Sequence, residues 1–292
     1  MDLVELDKAL AVKLQTTLAL PTLHERETTW QAVPFKQWRA LADRVAAYAI
    51  DRGLPILGVN GSQGSGKSTL ARELVMCLER QGKSAAAVSL DDFYLTRAER
   101  EGLAKTVHPL AQTRGVPGTH DTAWMARVFA QVTAANGAPV TLRLPEFSKG
   151  LDDRAGEHEV TVEVLVVEGW CLGVREQSET ALLEPVNALE ADDDSAGEWR
   201  GWVNRNIRQH YQPLWSHFAF WLHLRAPGFA EVFAWRQQQE QSLPASQRMS
   251  SAALQRFIQH YERLTLWQWE DESLEPGLTA KLDTGHQIVQ IR

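Results

Sequence analysis

Two periodicities take turns along this chain. Val45, Ala46, Tyr48 and Ala49 make an apolar stripe at helical spacing, and Gly53 follows as a stop. Leu54–Val59 is then continuously apolar and ends in Asn60-Gly61, the pattern of a strand buried on both faces. From Lys67 to Gln81 the helical period returns, with Leu70, Leu74, Val75 and Leu78 on one face and Gly82 closing the segment. Ala85–Leu90 reads as a second strand. Thr119 or Asp121 can cap a helix whose stripe is Trp124, Val128 and Val132. Val140–Leu144 alternates as a strand, and Val160–Val167 reads as one strong strand. Ala219–Leu224 is a further strand, and helices run through Phe229–Gln241 and Ser251–Leu264. Gln287–Ile291 reads as a last strand, and the acidic stretch Glu190–Asp194 before Ser195 and Gly197 as an exposed loop. Alternating strands and helices predict a mostly parallel sheet covered by helices.

Composition narrows the partners. The apolar fraction of 44% and charged fraction of 23% are those of a globular chain, which excludes a disordered or collagen-like one. No apolar run reaches the roughly 18–20 residues that cross a bilayer, so no membrane span is expected. The stretch Met1–Gln15 has no basic n-region and reads as an amphipathic helix rather than a secretory signal. A net charge of −7 argues against broad nucleic-acid or anionic-membrane binding. Cys77 and Cys171 read as two reduced thiols of a cytoplasmic protein. Eleven tryptophans, most in the second half, read as packing residues. Oligomeric state is left open by these patterns.

The segment Gly61-Ser62-Gln63-Gly64-Ser65-Gly66-Lys67-Ser68, followed by Thr69, matches G-x-x-x-x-G-K-[ST] between a predicted strand and a predicted helix. Glycines let backbone N–H groups wrap phosphate oxygens, Lys67 supplies a point charge, and the Ser68 hydroxyl suits Mg²⁺. A nucleoside triphosphate site in a three-layer P-loop NTPase fold follows. The motif alone leaves a kinase, a GTPase, a motor and a regulatory ATPase open. Two acids narrow the choice. Glu168 ends the apolar run Val164–Val167, where P-loop proteins organise Mg²⁺. Asp91, with Asp92 beside it, ends the Ala85–Leu90 strand, where a carboxylate can take the proton of an attacking hydroxyl.

Ser89-Leu90-Asp91-Asp92-Phe93-Tyr94 resembles the acceptor segment of the uridine kinase, phosphoribulokinase and pantothenate kinase group. Arg114-Gly115-Val116-Pro117-Gly118-Thr119-His120-Asp121 and Glu168-Gly169-Trp170-Cys171-Leu172-Gly173 are most similar to the plant-type D-glycerate 3-kinase family within it. Val203-Asn204 with Tyr211, Pro213-Leu214-Trp215, and the helix Phe229–Glu240 extend the similarity, which runs from about Leu54 onward. The resemblance implies a Mg·ATP-dependent kinase with a helical lid, in a domain over 51–292 behind an N-terminal helical extension over 1–50. It implies that Gly61–Thr69 bind nucleotide, that Ser68 and Glu168 organise the metal, and that Asp91, Lys67 and Arg236 carry the transfer. It places Arg114, His120, Asp121, Lys149, Arg154 and Trp170 about the acceptor. The partner implied is a small hydroxylated molecule, D-glycerate first, with a nucleoside, a pantothenate-like acid or a sugar phosphate as alternatives. One loop departs from the family: where it often has Asp-Lys-Ser, this chain has Ser148-Lys149-Gly150 before Asp153-Arg154. A regulatory ATPase without an acceptor stays as a reading of another class.

Overall fold

The computed structural model describes residues 8–14, 33–241, 248–271 and 277–292. Eight strands fall in chain order as β1 Ile56–Gly61, β2 Ala85–Ser89, β3 Val140–Ser148, β4 Asp153–Val162, β5 Val164–Gly169, β6 Phe220–Arg225, β7 Gly277–Leu282 and β8 Ile288–Ile291. Six of them make the central sheet, in the order β2-β5-β1-β6-β7-β8. Its first five strands run parallel, and β8 returns antiparallel along β7. β1 and β5 lie in the middle and are buried at every position, as continuous apolar strands flanked by helices on both faces must be.

Each face carries its own core. On one, the helices Val33–Arg52 and Lys67–Arg80 lay Leu41, Val45, Leu70 and Leu74 against Leu57, Phe220 and Leu222. On the other, Met125 and Phe129 of the helix Thr122–Ala135 meet Leu165, Val167 and Trp221. The result is the expected three-layer α/β architecture. The tryptophans pack largely as anticipated: Trp221 stacks on Phe218 with centroids 4.5 Å apart, and Trp215 meets both edge-on. The expected boundary at residue 50 falls inside the helix Val33–Arg52, which contributes Ala46 and Ala49 to the first core. The expected helix over Met1–Gln15 lies mostly outside the described residues.

Two expectations fail. Val160–Val167 is two strands in two different sheets, broken at Glu163. Glu163 accepts from the Ser84 amide at 2.9 Å and from Lys83 Nζ at 2.8 Å, pinning the start of β2. One polar residue between two valine-rich runs marks the end of a hairpin, β3–β4, that stands apart from the central sheet. The acidic stretch is not an exposed loop either: Glu190 belongs to the short helix Ala188–Asp193, and both Glu190 and Asp194 are buried. Arg263 holds the Glu190 carboxylate from 73 residues away through Nε at 2.8 Å and Nη2 at 2.7 Å. Arg200 Nη1 and the amides of Trp199 and Arg200 hold Asp194. Buried charges need such partners; the one for Glu190 lies far along the chain, and those for Asp194 open the next helix, Glu198–Asn206. Among the described residues no helix is long and apolar enough to cross a membrane.

Candidate active site

The carboxyl ends of β1, β2, β5 and β6 open onto one crevice, as the parallel sheet requires. β1 runs into the loop Gly61–Ser68 and the helix Lys67–Arg80. Gly66 precedes that helix at φ 90°, where a Cβ would come within 2.4 Å of the Trp38 ring. Gly64 sits at φ 77°, with Trp235 Cβ 2.5 Å from where its own Cβ would be. Glycine is required at both. The turn is closed by the Ser65 amide donating to the Ser62 carbonyl at 3.2 Å. Ser62 Oγ, Gln63 Oε1 and Ser65 Oγ are buried here without a hydrogen-bond partner, so polar groups crowd the loop. The helix opens here with the amides of Lys67 and Ser68, at the positive end of its dipole. The loop fits a polyphosphate.

Ser68 Oγ donates to Glu168 Oε1 at 2.7 Å. Glu168 is 6% exposed, and its Oε2 is buried with no partner. A hydroxyl beside a carboxylate with a free oxygen suits Mg²⁺, which takes few protein ligands and completes its shell with water and phosphate. Lys67 and Thr69 lie on the same first turn; Thr69 is exposed and donates its amide to the Gly66 carbonyl at 3.0 Å.

At the end of β2 the chain turns sharply. Ser89 Oγ accepts from the Asp91 amide at 3.2 Å, and Asp92 Oδ2 accepts from the Ser89 amide at 3.1 Å. This reciprocal cap occupies Asp92 and leaves Asp91 facing the crevice. Tyr94 Oη donates to Asp91 Oδ1 at 2.8 Å and Lys149 Nζ to Oδ2 at 2.6 Å. Burial alone would raise the Asp91 pKa, but the charges of Lys149 and Lys67 outweigh it and hold the carboxyl below the usual range. Burial and the same carboxylate push the Tyr94 hydroxyl well up, so it stays a donor.

The loop Arg114–Asp121 forms the far wall. It is tied to the turn after Asp91 by Leu95 N to Thr119 O at 2.9 Å and Asp121 N to Phe93 O at 2.7 Å. Arg114 pairs with Asp152 and lies over the Phe147 ring at 5.5 Å. His120 is buried, stacked on Tyr94 with centroids 4.5 Å apart, and its Nδ1 meets Tyr211 Oη at 2.7 Å. Burial pushes its pKa down to about 3, so the ring is neutral. Asp121 caps the next helix through the Trp124 amide at 2.9 Å and lies 3.6 Å from Arg154. Arg154 reaches back to the Tyr94 carbonyl at 3.2 Å. Trp170 is buried beneath the loop, donates to the Gly115 carbonyl at 3.0 Å and meets Tyr261 edge-on. Arg236 lies beside the P-loop, its amide nitrogen 3.4 Å from a Gly64 Cβ position, but its guanidinium pairs with buried Glu240 at 2.7 Å.

Asp91, Lys149, Lys67, Ser68 and Glu168 thus gather at one place, while Arg114, His120, Asp121 and Arg154 line the adjoining wall. Tyr94, Asp152, Tyr211 and Tyr261 belong to the same network and carry no expected role. Tyr94 had a signal, three residues after Asp91. Tyr261, which donates to the Arg114 carbonyl from 147 residues away at 3.2 Å, had none.

No family model matches the chain. It is 36% identical over 218 residues to an uncharacterized kinase of Schizosaccharomyces pombe, covering 70% of this chain and 78% of that protein. It is 26% identical over 220 residues to the chloroplastic D-glycerate 3-kinase of Arabidopsis thaliana, of which it covers 46%. Among solved structures, a D-glycerate 3-kinase from Cryptococcus neoformans superposes with a TM-score of 0.71 at 24% identity, covering 87% of this chain and 99% of that one. At that identity the likeness speaks for the fold.

Proposed function

Since the chain belongs to the P-loop kinases related to glycerate kinase, we propose that it transfers the γ-phosphoryl group of Mg·ATP to a hydroxyl of D-glycerate, giving 3-phosphoglycerate. One observation carries the reading: a carboxylate, Asp91, is kept ionised by Lys149 and Lys67 at the strand end beside the P-loop, with a tyrosine fixing its orientation.

Lys67 and the loop amides bind the phosphates. Ser68 and Glu168 would hold Mg²⁺, which would offset charge on the phosphates. Asp91 accepts a hydrogen bond from the acceptor hydroxyl and aims its oxygen at phosphorus. The new O–P bond forms as the bond from the γ-phosphorus to the β-bridging oxygen breaks, and the hydroxyl proton passes to Asp91. A carboxylate this acidic takes the proton late, once the attacking oxygen is already bonding to phosphorus. Arg114 receives the acceptor carboxylate bidentately in exchange for Asp152. His120, Asp121, Lys149, Arg154 and Trp170 shape the rest of the pocket. Arg236 turns from Glu240 toward the equatorial oxygens. Two buried free thiols support the cytoplasm as the compartment.

The test is ADP release with Mg·ATP across D-glycerate, L-glycerate, pantothenate, uridine and ribulose 5-phosphate, for wild type, Asp91→Asn and Lys67→Ala. D-glycerate-dependent turnover lost in both variants is expected. Ser148 and Gly150 in the departing loop favour a second reading, another hydroxylated acceptor, which turnover with a different compound would establish. ATP hydrolysis that needs no acceptor and survives Asp91→Asn would overturn both in favour of a regulatory ATPase.

A further inference from the structure

The turn between β7 and β8 lies behind the phosphate loop. It is a tight, self-bonded structure: Asp283 Oδ1 accepts from the amides of Gly285 and Gln287, each at 2.9 Å, and the His286 amide donates to the Asp283 carbonyl at 3.1 Å. His286 itself takes a left-handed conformation, φ 64°, which a residue with a Cβ seldom adopts without compensation. Two indoles grip the turn. Trp235 stacks on the His286 ring with centroids 4.2 Å apart and donates Nε1 to the Thr284 carbonyl at 3.0 Å. Trp38 donates Nε1 to the His286 carbonyl at 2.9 Å. These same two side chains back the P-loop, Trp235 against Gly64 and Trp38 against Gly66.

His286 then reaches the loop directly. Its Nε2 lies 2.8 Å from the Gly64 carbonyl oxygen. A carbonyl only accepts, so Nε2 carries the proton. The other side of that peptide, the Ser65 amide, donates to the Ser62 carbonyl. The Gly64–Ser65 peptide is therefore tied at both its polar atoms. We propose that His286 is a positioning residue for nucleotide binding, holding the P-loop in its phosphate-binding shape through the Gly64 carbonyl. The physical reason is preorganisation: glycines that let the loop wrap phosphate also leave it free to relax, and an external tether removes that freedom before the ligand arrives.

The inference rests on the kinase reading for its ligand, and the experiment separates the two. Binding of Mg·ADP to the full chain is measured by calorimetry for wild type, His286→Ala and His286→Gln, alongside the KM for ATP and kcat. The alanine variant is expected to weaken Mg·ADP binding about tenfold, with KM raised alike and kcat nearly unchanged, as for one lost hydrogen bond. Glutamine, whose amide can donate from a similar place, is expected to recover most of the loss. Equal affinity in wild type and His286→Ala, or a glutamine variant no better than alanine, overturns the inference. Wild type that does not bind Mg·ADP sinks the kinase reading and this inference with it. If the alanine variant does not fold, nitrogen NMR of the wild-type imidazole decides: a slowly exchanging Nε2 proton is expected, and the Nδ1-protonated tautomer overturns the proposal.

Discussion

The two sides of the crevice are built on opposite principles. The phosphate side is a single stretch, Gly61–Thr69, whose chemistry resides in the backbone and whose shape rests on glycines. The acceptor side is gathered from β2, the Arg114–Asp121 loop, the β3–β4 hairpin and distant tyrosines, and it is held by side-chain charge. There Lys149 pairs with Asp91, Asp152 with Arg114 and Arg100, and Arg154 with Asp121. A backbone site is chemically generic and becomes rigid once it is tethered. A site made of paired charges is specific, and a ligand must exchange partners to enter it. Nucleotide recognition and acceptor recognition should therefore respond to different mutations.

The largest expected effect is on the acceptor side. Asp91→Asn is expected to lower kcat by about a thousandfold, the scale of a lost general base, while calorimetry finds Mg·ADP affinity unchanged. Gly66→Ala should do the reverse, raising the ATP KM by about a hundredfold, because the methyl group meets Trp38 at a left-handed φ. A Gly66→Ala enzyme with wild-type KM would show that the loop tolerates strain and would erase the contrast. Tyr94→Phe removes one charge-assisted hydrogen bond to Asp91 and should cost about tenfold in kcat with the fold intact by circular dichroism. The smallest effect belongs to Lys149→Ala, since that side chain is 65% exposed: about threefold in kcat/KM at neutral pH. Its signature is in the pH profile. Asp91 ionises below its ordinary value of 3.8 in the folded chain, so its contribution is present above that value and fades as pH falls through the lower folded one. Without Lys149 the folded value rises, and the acid limb of kcat/KM moves to higher pH.

The same contrast governs what the sequence reveals. The P-loop is legible because its function needs contiguous residues between a strand and a helix. Asp91 is legible because the strand ahead of it is. Lys149 could be named from the motif, but its contact with Asp91 joins positions 58 residues apart, across a hairpin the periodicity did not resolve. That hairpin was hidden by Val160–Val167, where apolar residues on both sides of Glu163 mask a change of sheet. The helix Arg97–Thr106 had a readable start in Thr96 and Glu99, which form a capping box. β7 had a weaker signal, six residues alternating between half-buried and buried, one strand in from the sheet's edge. Glu190 looked solvated because nothing local announces Arg263 as its partner, 73 residues on, whereas the partners of Asp194, Trp199 and Arg200, lie within six residues. Arg236 is the instructive middle case: the family resemblance gave it a part in the phosphoryl transfer, yet its guanidinium rests on Glu240, four residues along its own helix.

The tether from His286 to Gly64 spans 222 positions. During synthesis the P-loop strand leaves the ribosome long before the turn that backs it, so a nascent chain carries the whole phosphate motif without its support. Full nucleotide affinity is thereby expected only once the turn after β7 has been made and has docked against Gly64.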